Sequence, residues 1–223
     1  MGITLTLYKV CSFNCVYCQL GRTAATTKER KDYIPIEEVI NELKLWLQYN
    51  KPQVSKLNYI TLSGLGEPTL NLKIGQLIPQ IKNLTNTAVA VITNSSLLNL
   101  PLVRQDLLQA DLIIPSLDAV TAFRFTKIDR PHPEIKIEEI IEGLISLRKE
   151  FKGKIWLEVM LAKAVNDDIR HMRKFEEVID KINPDKIHLN SPVRTTAETN
   201  ILPVKRKKLE EIKELFGEKC EII

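Results

Sequence analysis

Three of the four cysteines in this chain lie close together, as Cys11, Cys15 and Cys18, with the spacing C-x3-C-x2-C. Three thiolates on one loop can hold three irons of a 4Fe-4S cube, and the fourth iron is then free to bind a substrate directly. A disulfide framework would instead distribute an even set of cysteines along the chain. The grouping therefore indicates a metal site or redox chemistry, as expected of clustered thiols in a reducing compartment.

Zinc is the alternative metal for these thiols. A structural zinc site usually takes four protein ligands, and the further candidates are Cys220, His132, His171 and His188, all distant in the chain. A zinc-stabilised binding module stays open as an interpretation if one of them folds back onto the loop. A cluster that senses oxygen or iron without catalysis is a third interpretation.

The elements that position the cysteines follow a strand–helix rhythm. Apolar β-prone runs alternate with amphipathic runs of helical periodicity, and the predicted strands are 3–8, 57–62, 88–92, 112–115, 155–161 and 186–190. Residues 220–223 are either one more strand or a frayed end. Such alternation implies parallel strands with right-handed crossovers, and ligands bind at the carboxyl ends of strands in these folds. The cysteine loop follows the first strand and therefore lies at that end.

Polar residues stand at the ends of the next predicted strands. The turn after the second strand contains Gly64, Gly66 and Glu67. Glycines allow a ligand to approach the backbone closely, and a carboxylate can accept hydrogen bonds from an ammonium group. Asn94 and Ser116 end the third and fourth strands and could hydrogen-bond a ribose or a carboxylate.

Each of these residues also has an ordinary structural interpretation. The glycine segment is a turn by itself, and Asn94 or Asp118 could cap a following helix. Met160, in the fifth strand, would pack in the core like other buried methionines. Their shared position at strand ends favours a ligand site.

The segment C-x3-C-x-aromatic-C after a first strand resembles the signature of the radical S-adenosylmethionine superfamily. The resemblance implies an α/β fold, a partial (β/α)6 barrel of parallel strands, with a 4Fe-4S cluster on Cys11, Cys15 and Cys18. It also implies S-adenosyl-L-methionine as cofactor, cleaved reductively to methionine and a 5′-deoxyadenosyl radical that abstracts hydrogen from a substrate.

The same resemblance implies roles for seven further residues. The turn is similar to the family's Gly-Gly-Glu-Pro motif, which binds the methionine amino group, although Leu65 replaces the usual first glycine. Similar enzymes contact the cofactor with an aromatic residue before the last cysteine, with a serine after the fourth strand and with a methionine on adenine. The cofactor-binding residues implied are Tyr17, Gly64, Gly66, Glu67, Asn94, Ser116 and Met160.

Over most of its length the chain resembles uncharacterised iron–sulfur oxidoreductases related to the radical part of wyosine synthases. Segments 10–22 and 189–194 carry this resemblance. Wyosine synthases of one type hold a second cluster, which we do not expect here because only Cys220 remains. No Ser/Gly linker or low-complexity tract marks a second domain, so we expect residues 1–223 to be a single domain. The segment usual before the first strand is missing, so we expect the N-terminus to be truncated.

Bulk properties agree with a soluble globular protein. The 223 residues are 44% hydrophobic and 27% charged, with a net charge of +4, which suits one globular domain and argues against a dedicated nucleic-acid binder. We find no apolar run of membrane-spanning length and no signal peptide, and therefore expect a cytoplasmic protein without membrane contacts. The partners implied are an electron donor such as flavodoxin or ferredoxin and an unidentified substrate: a small molecule, a modified nucleotide or RNA, or a peptide.

Basic residues also follow the predicted strand ends. Singly they are ordinary solvated charges, but as a group they suggest an anionic substrate, because arginine and lysine bind phosphate and carboxylate groups. They are Arg22, Lys28, Arg30, Lys31, Arg124, Lys127, Arg130, His132 and Arg194.

Overall fold

The computed structural model describes residues 1–6 and 8–223. Its centre is one sheet of seven parallel strands whose spatial order is the sequence order. The strands are β1 Gly2–Thr4, β2 Tyr59–Ser63, β3 Ala88–Thr93, β4 Leu112–Pro115, β5 Lys154–Met160, β6 Lys186–Asn190 and β7 Cys220–Ile222. Within the described residues no pairing joins β7 to β1, so the sheet is an open, partial barrel as predicted.

The first strand differs most in extent from the prediction, and the other strands agree with it to within two residues. The first strand, predicted over 3–8, ends at Thr4 because the chain then bends towards the turn after β2, where the Thr6 hydroxyl donates to the Leu65 carbonyl at 3.2 Å. Leu7 lies outside the described residues. The chain end forms β7, parallel to β6, and buries Cys220.

Helices cover the outer face of the sheet. They are α1 Ile36–Tyr49, α2 Lys51–Val54, α3 Ile74–Leu84, α4 Pro101–Leu107, α5 Ala122–Ile128, α6 Ile137–Glu150, α7 Ile169–Ile182 and α8 Arg206–Phe216, with a 3₁₀ turn at Pro68–Leu70. Local chemistry explains both ends of α7. Asp168 caps α7 by accepting from the His171 amide at 3.0 Å, and Asn183 closes it in the left-handed conformation at φ 48°.

The core lies between the sheet and this helical layer. Strand β3 is almost continuously apolar, with Val89, Ala90 and Val91 buried, as expected for a central parallel strand covered on both faces. Amphipathic helices contribute residues such as Leu77, Leu144 and Phe175. None of the helices in the described ranges is long and apolar enough to cross a bilayer.

Candidate cofactor site

The cysteine loop lies between β1 and α1, at the carboxyl end of the sheet. All three thiols are free and half-buried, and each has a polar neighbour. The Cys11 sulfur accepts from the Phe13 amide and from Asn94 Nδ2, both at 3.5 Å. The Cys18 sulfur lies 3.1 Å from Lys9 Nζ. Cys11 and Cys15 border an open pocket of about 200 Å³, so two of the predicted ligands face a space at the strand ends.

The donor set fits a cluster better than a single ion. Within the described residues, no three His, Cys, Asp or Glu side chains are grouped as ligands of one metal ion. A zinc site needs such a grouping because all its ligands bind the same ion, whereas each cysteine of a cube binds a different iron. Three thiols without a fourth ligand suit a cube that keeps one iron open.

Burial keeps the Cys11 and Cys15 thiols protonated when they hold no metal. It raises the pKa of Cys11 to about 11 and that of Cys15 well above its usual value. Metal binding must then displace the thiol protons, which couples iron loading to proton release.

The glycine turn after β2 lies against the start of the cysteine loop. The Val10 amide donates to the Leu65 carbonyl at 3.1 Å, and the Glu67 amide donates to the Val10 carbonyl at 2.9 Å. Gly66 has φ 145°, and a Cβ there would overlap the Val10 carbonyl. The group that approaches this turn closely is therefore the protein's own backbone at Val10. Gly64 and Gly66 also border the pocket.

Glu67 connects the ends of β2 and β3. The whole residue is 1% exposed. One carboxylate oxygen accepts from the Thr69 amide at 3.0 Å and from the Thr69 and Thr93 hydroxyls, each at 2.6 Å; the other accepts from the Asn94 amide at 2.7 Å. Burial raises the pKa of Glu67, and these hydrogen bonds oppose the rise. The residue caps the 3₁₀ turn and also borders the pocket.

Asn94 and Ser116 border the same pocket. Asn94 Nδ2 donates to the buried Ser12 hydroxyl at 2.9 Å, and its Oδ1 accepts from the Ser96 amide at 3.0 Å. Asn94 does not cap a helix, because α4 begins only at Pro101. The Ser116 amide donates to the Thr93 carbonyl at 2.8 Å, which holds this residue at the end of β4.

A pair of buried carboxyl groups adjoins the pocket. The Tyr17 hydroxyl donates to Asp118, whose other oxygen accepts from the Met160 amide at 2.8 Å. Asp129 accepts from the Cys15 thiol at 3.4 Å. Burial raises the pKa of Asp118 to about 6; burial and the nearby Asp118 charge raise that of Asp129 well above its usual value. Asp118 is not a helix cap, since Thr121 precedes α5.

Sequence reasoning did not single out Asp129. The available signal was an acid directly after Ile128 and ahead of the Arg-Pro pair. Tyr17, Asp118 and Asp129 enclose, with Asn94 and Ser116, a cavity of about 10 Å³, room for about one water. Five of the predicted cofactor residues border the pocket of about 200 Å³: Gly64, Gly66, Glu67, Asn94 and Ser116. The other two, Tyr17 and Met160, lie next to that pocket, and both donate hydrogen bonds to the Asp118 carboxylate.

Many of the basic residues at the strand ends have carboxylate partners. Arg30 pairs with Asp106 at 2.6 Å and also donates to the Thr69 carbonyl, so it stabilises the fold. Lys28 pairs with Glu134, and Arg124 with Asp168. Arg22 and Arg130 share a single carboxylate, that of Glu198.

The sequence is similar to a protein-family model and to several known proteins. The family model described as the radical SAM superfamily matches residues 5–175. A protein named GTPase Obg from Brachyspira hyodysenteriae is 40% identical over 222 residues, which cover 100% of this chain and 32% of that protein. UPF0026 protein MJ1312 from Methanocaldococcus jannaschii is 32% identical over 218 residues, covering 98% and 67%. The chain thus spans a third to two thirds of these relatives.

Solved structures share the fold. SuiB from Streptococcus suis, bound to S-adenosylmethionine, aligns with a TM-score of 0.71 at 13% identity over 100% of this chain and 49% of its own. Archaeal TYW1 aligns with a TM-score of 0.59 at 18% identity over 89% and 68%. The family match and the site therefore lead to one conclusion: the chain belongs to the radical SAM superfamily, whose enzymes use a 4Fe-4S cluster and S-adenosylmethionine, and to its UPF0026 relatives.

Proposed function

We propose that residues 1–223 form one radical S-adenosylmethionine domain that holds its cluster on Cys11, Cys15 and Cys18. The reduced cluster would supply the electron that cleaves S-adenosylmethionine to methionine and a 5′-deoxyadenosyl radical, which takes a hydrogen atom from the substrate. One observation carries this proposal. Cys11 and Cys15 share a pocket with Gly64, Gly66, Glu67, Asn94 and Ser116, all from successive strand ends.

The residues around this pocket can each bind part of the cofactor. Glu67 and the adjoining turn offer a carboxylate and backbone oxygens for the methionine ammonium group. Asn94 and Ser116 present polar groups suited to a ribose or a carboxylate. Tyr17 and Met160 flank Asp118 and would close the site on the adenine side.

The names of other relatives point to several kinds of substrate. Other relatives are named GTP 3′,8-cyclase and dual-specificity RNA methyltransferase RlmN, at 26% and 24% identity, and SuiB has been solved with a precursor peptide. These proteins differ in what they act on. We therefore propose hydrogen abstraction from a substrate still to be identified, with electrons from a flavodoxin or ferredoxin.

The test is anaerobic cleavage of the cofactor. The chain is reconstituted with iron and sulfide, reduced with dithionite and assayed for 5′-deoxyadenosine after addition of S-adenosylmethionine. We expect product from the wild type and none from Cys15→Ala. Cys220→Ala is the matched control, because Cys220 lies in β7 and is buried away from the loop; it should keep both the iron and the product.

Three outcomes would contradict parts of the proposal. A reducible cluster that yields no 5′-deoxyadenosine would favour a sensor or an electron carrier. Bound zinc in place of iron would favour the binding module. Loss of iron in Cys220→Ala would show that the ligand assignment is wrong.

A further inference from the structure

Two arginines meet on one carboxylate beside the cysteine loop. Arg22 Nη2 lies 3.0 Å from one oxygen of Glu198, and Arg130 Nη1 lies 2.5 Å from the other. The arginine side chains are 69% and 42% exposed, whereas that of Glu198 is 16% exposed. The arginines can therefore be reached from solvent, and the carboxylate fills the space between them.

The three residues come from loops at the carboxyl end of the sheet. Arg22 follows the cysteine loop after β1, Arg130 follows α5 beyond β4, and Glu198 lies in the segment 191–205 between β6 and α8. The Glu198 amide donates to the Val16 carbonyl at 3.1 Å, and the Asn14 amide donates to the Arg130 carbonyl at 3.2 Å. The cluster of charges therefore adjoins the loop that carries Cys15.

The geometry is that of an oxyanion site. Guanidinium groups on both oxygens of one planar anion are the arrangement that proteins use for carboxylates and phosphates. An exposed ion pair stabilises a fold little. Arg130 nevertheless has φ 44°, a left-handed backbone that costs a non-glycine residue free energy and is concentrated at functional sites. An open pocket of about 360 Å³, bordered also by His132 and Lys136, adjoins Arg130.

We propose that Arg22 and Arg130 bind a phosphate or carboxylate group of the substrate, and that Glu198 occupies their site until this group displaces it. The inference rests on the proposed function, because it assigns the anion to that substrate. Displacement breaks both Glu198 ion pairs, and segment 191–205 then keeps fewer contacts with the cysteine loop. Among the basic residues at the strand ends, Arg22 and Arg130 thus form an anion site.

The first experiment removes the internal competitor. The reconstituted enzyme and its Glu198→Gln variant are titrated calorimetrically with sodium phosphate and with sodium acetate at constant ionic strength. A tethered carboxylate competes like a ligand at high effective concentration, so we expect Glu198→Gln to bind the preferred oxyanion on the order of 10-fold more tightly. The double variant Glu198→Gln with Arg130→Gln should lose this gain. The probe that binds more tightly, phosphate or acetate, identifies the kind of oxyanion.

The second experiment uses the wild type and does not depend on the variant folding. If an anion displaces Glu198, trypsin should cleave after Arg194, in segment 191–205, faster in phosphate or acetate than in chloride of equal ionic strength. Cleavage after Lys56, exposed before β2 at the opposite end of the sheet, is the internal reference.

The proposal is overturned if Glu198→Gln binds neither probe more tightly and the wild type shows no anion-specific cleavage. If Glu198→Gln does not fold, the wild-type cleavage alone decides. Formation of 5′-deoxyadenosine is measured in the same preparations. Product without anion binding would refute the oxyanion site and leave the radical chemistry intact. Anion binding without product would support the oxyanion site and refute the radical chemistry.

Discussion

The Tyr17 hydroxyl donates a hydrogen bond to the buried Asp118 carboxylate. This bond connects the cysteine loop to the end of β4, across 101 residues of sequence. Because Asp118 also accepts from the Met160 amide, three segments of the barrel mouth meet at one carboxyl group.

Replacing Tyr17 by Phe should destabilise the fold while leaving the iron in place. The variant leaves a buried carboxylate without one of its donors, which costs about 1–3 kcal/mol. Urea unfolding with iron analysis measures both effects. Tyr33→Phe is the control, because the Tyr33 hydroxyl donates to the Glu29 carbonyl at an exposed position, and its change should stay within about 0.5 kcal/mol. Equal losses of unfolding free energy in the two variants would contradict a special role for Tyr17.

Gly66→Ala should disrupt the cysteine loop. A Cβ would overlap the Val10 carbonyl, and overpacking adds about 1–3 kcal/mol to the strain of a positive φ. Gly217→Ala separates the two causes, since Gly217 has φ 81° but no atom within 4 Å of the added Cβ; it should cost only the backbone strain, about 1–3 kcal/mol. We expect Gly66→Ala alone to lose iron. Full iron occupancy in that variant would show that the turn and the loop are independent.

Glu67→Gln should weaken cofactor binding and lower stability together. Glutamine keeps one acceptor oxygen, so either the Thr69 and Thr93 donors or the Asn94 amide loses its acceptor. An unpaired buried donor costs about 1–3 kcal/mol. Equilibrium dialysis with S-adenosylmethionine and urea unfolding measure the two effects, with Glu142→Gln on exposed α6 surface as control. Lower stability with unchanged cofactor affinity would show that Glu67 is only a structural carboxylate.

His171 should make the fold less stable in mild acid. Burial lowers its pKa to about 4, with Asp168 opposing and Arg124 reinforcing the shift, and Nε2 has no partner among the described residues. A lowered folded-state pKa means that the stability contribution is complete above about pH 6.5 and is lost as the pH falls towards 4, by up to about 3 kcal/mol. His171→Met cannot titrate. The wild type minus variant difference in unfolding free energy should therefore fall between pH 7 and 5; a constant difference would contradict the shift.

Local sequence patterns predicted much of the fold and of the candidate site. The cysteine spacing, the strand ends and the polar residues that follow them depend on neighbours in sequence, and the residues predicted at those ends border one pocket or adjoin it.

Long-range contacts could not be predicted in the same way. Arg30 had the appearance of a substrate ligand, but it pairs with Asp106, which lies 76 residues away in sequence. Asp129 reaches Cys15 across 114 residues. Similarly, the glycine at position 66 indicated a close approach, but only the three-dimensional structure shows that the approaching group is Val10.

The contacts around the cysteine loop have a consequence for how the enzyme matures. Gly66 touches Val10, Asn94 touches Cys11 and Asp129 touches Cys15, so the loop is supported from the ends of β2 and β3 and from the segment after α5. The loop can take this shape only after those strands have assembled. Unlike a zinc finger, which needs its metal in order to fold, this chain should fold before it binds iron and sulfide.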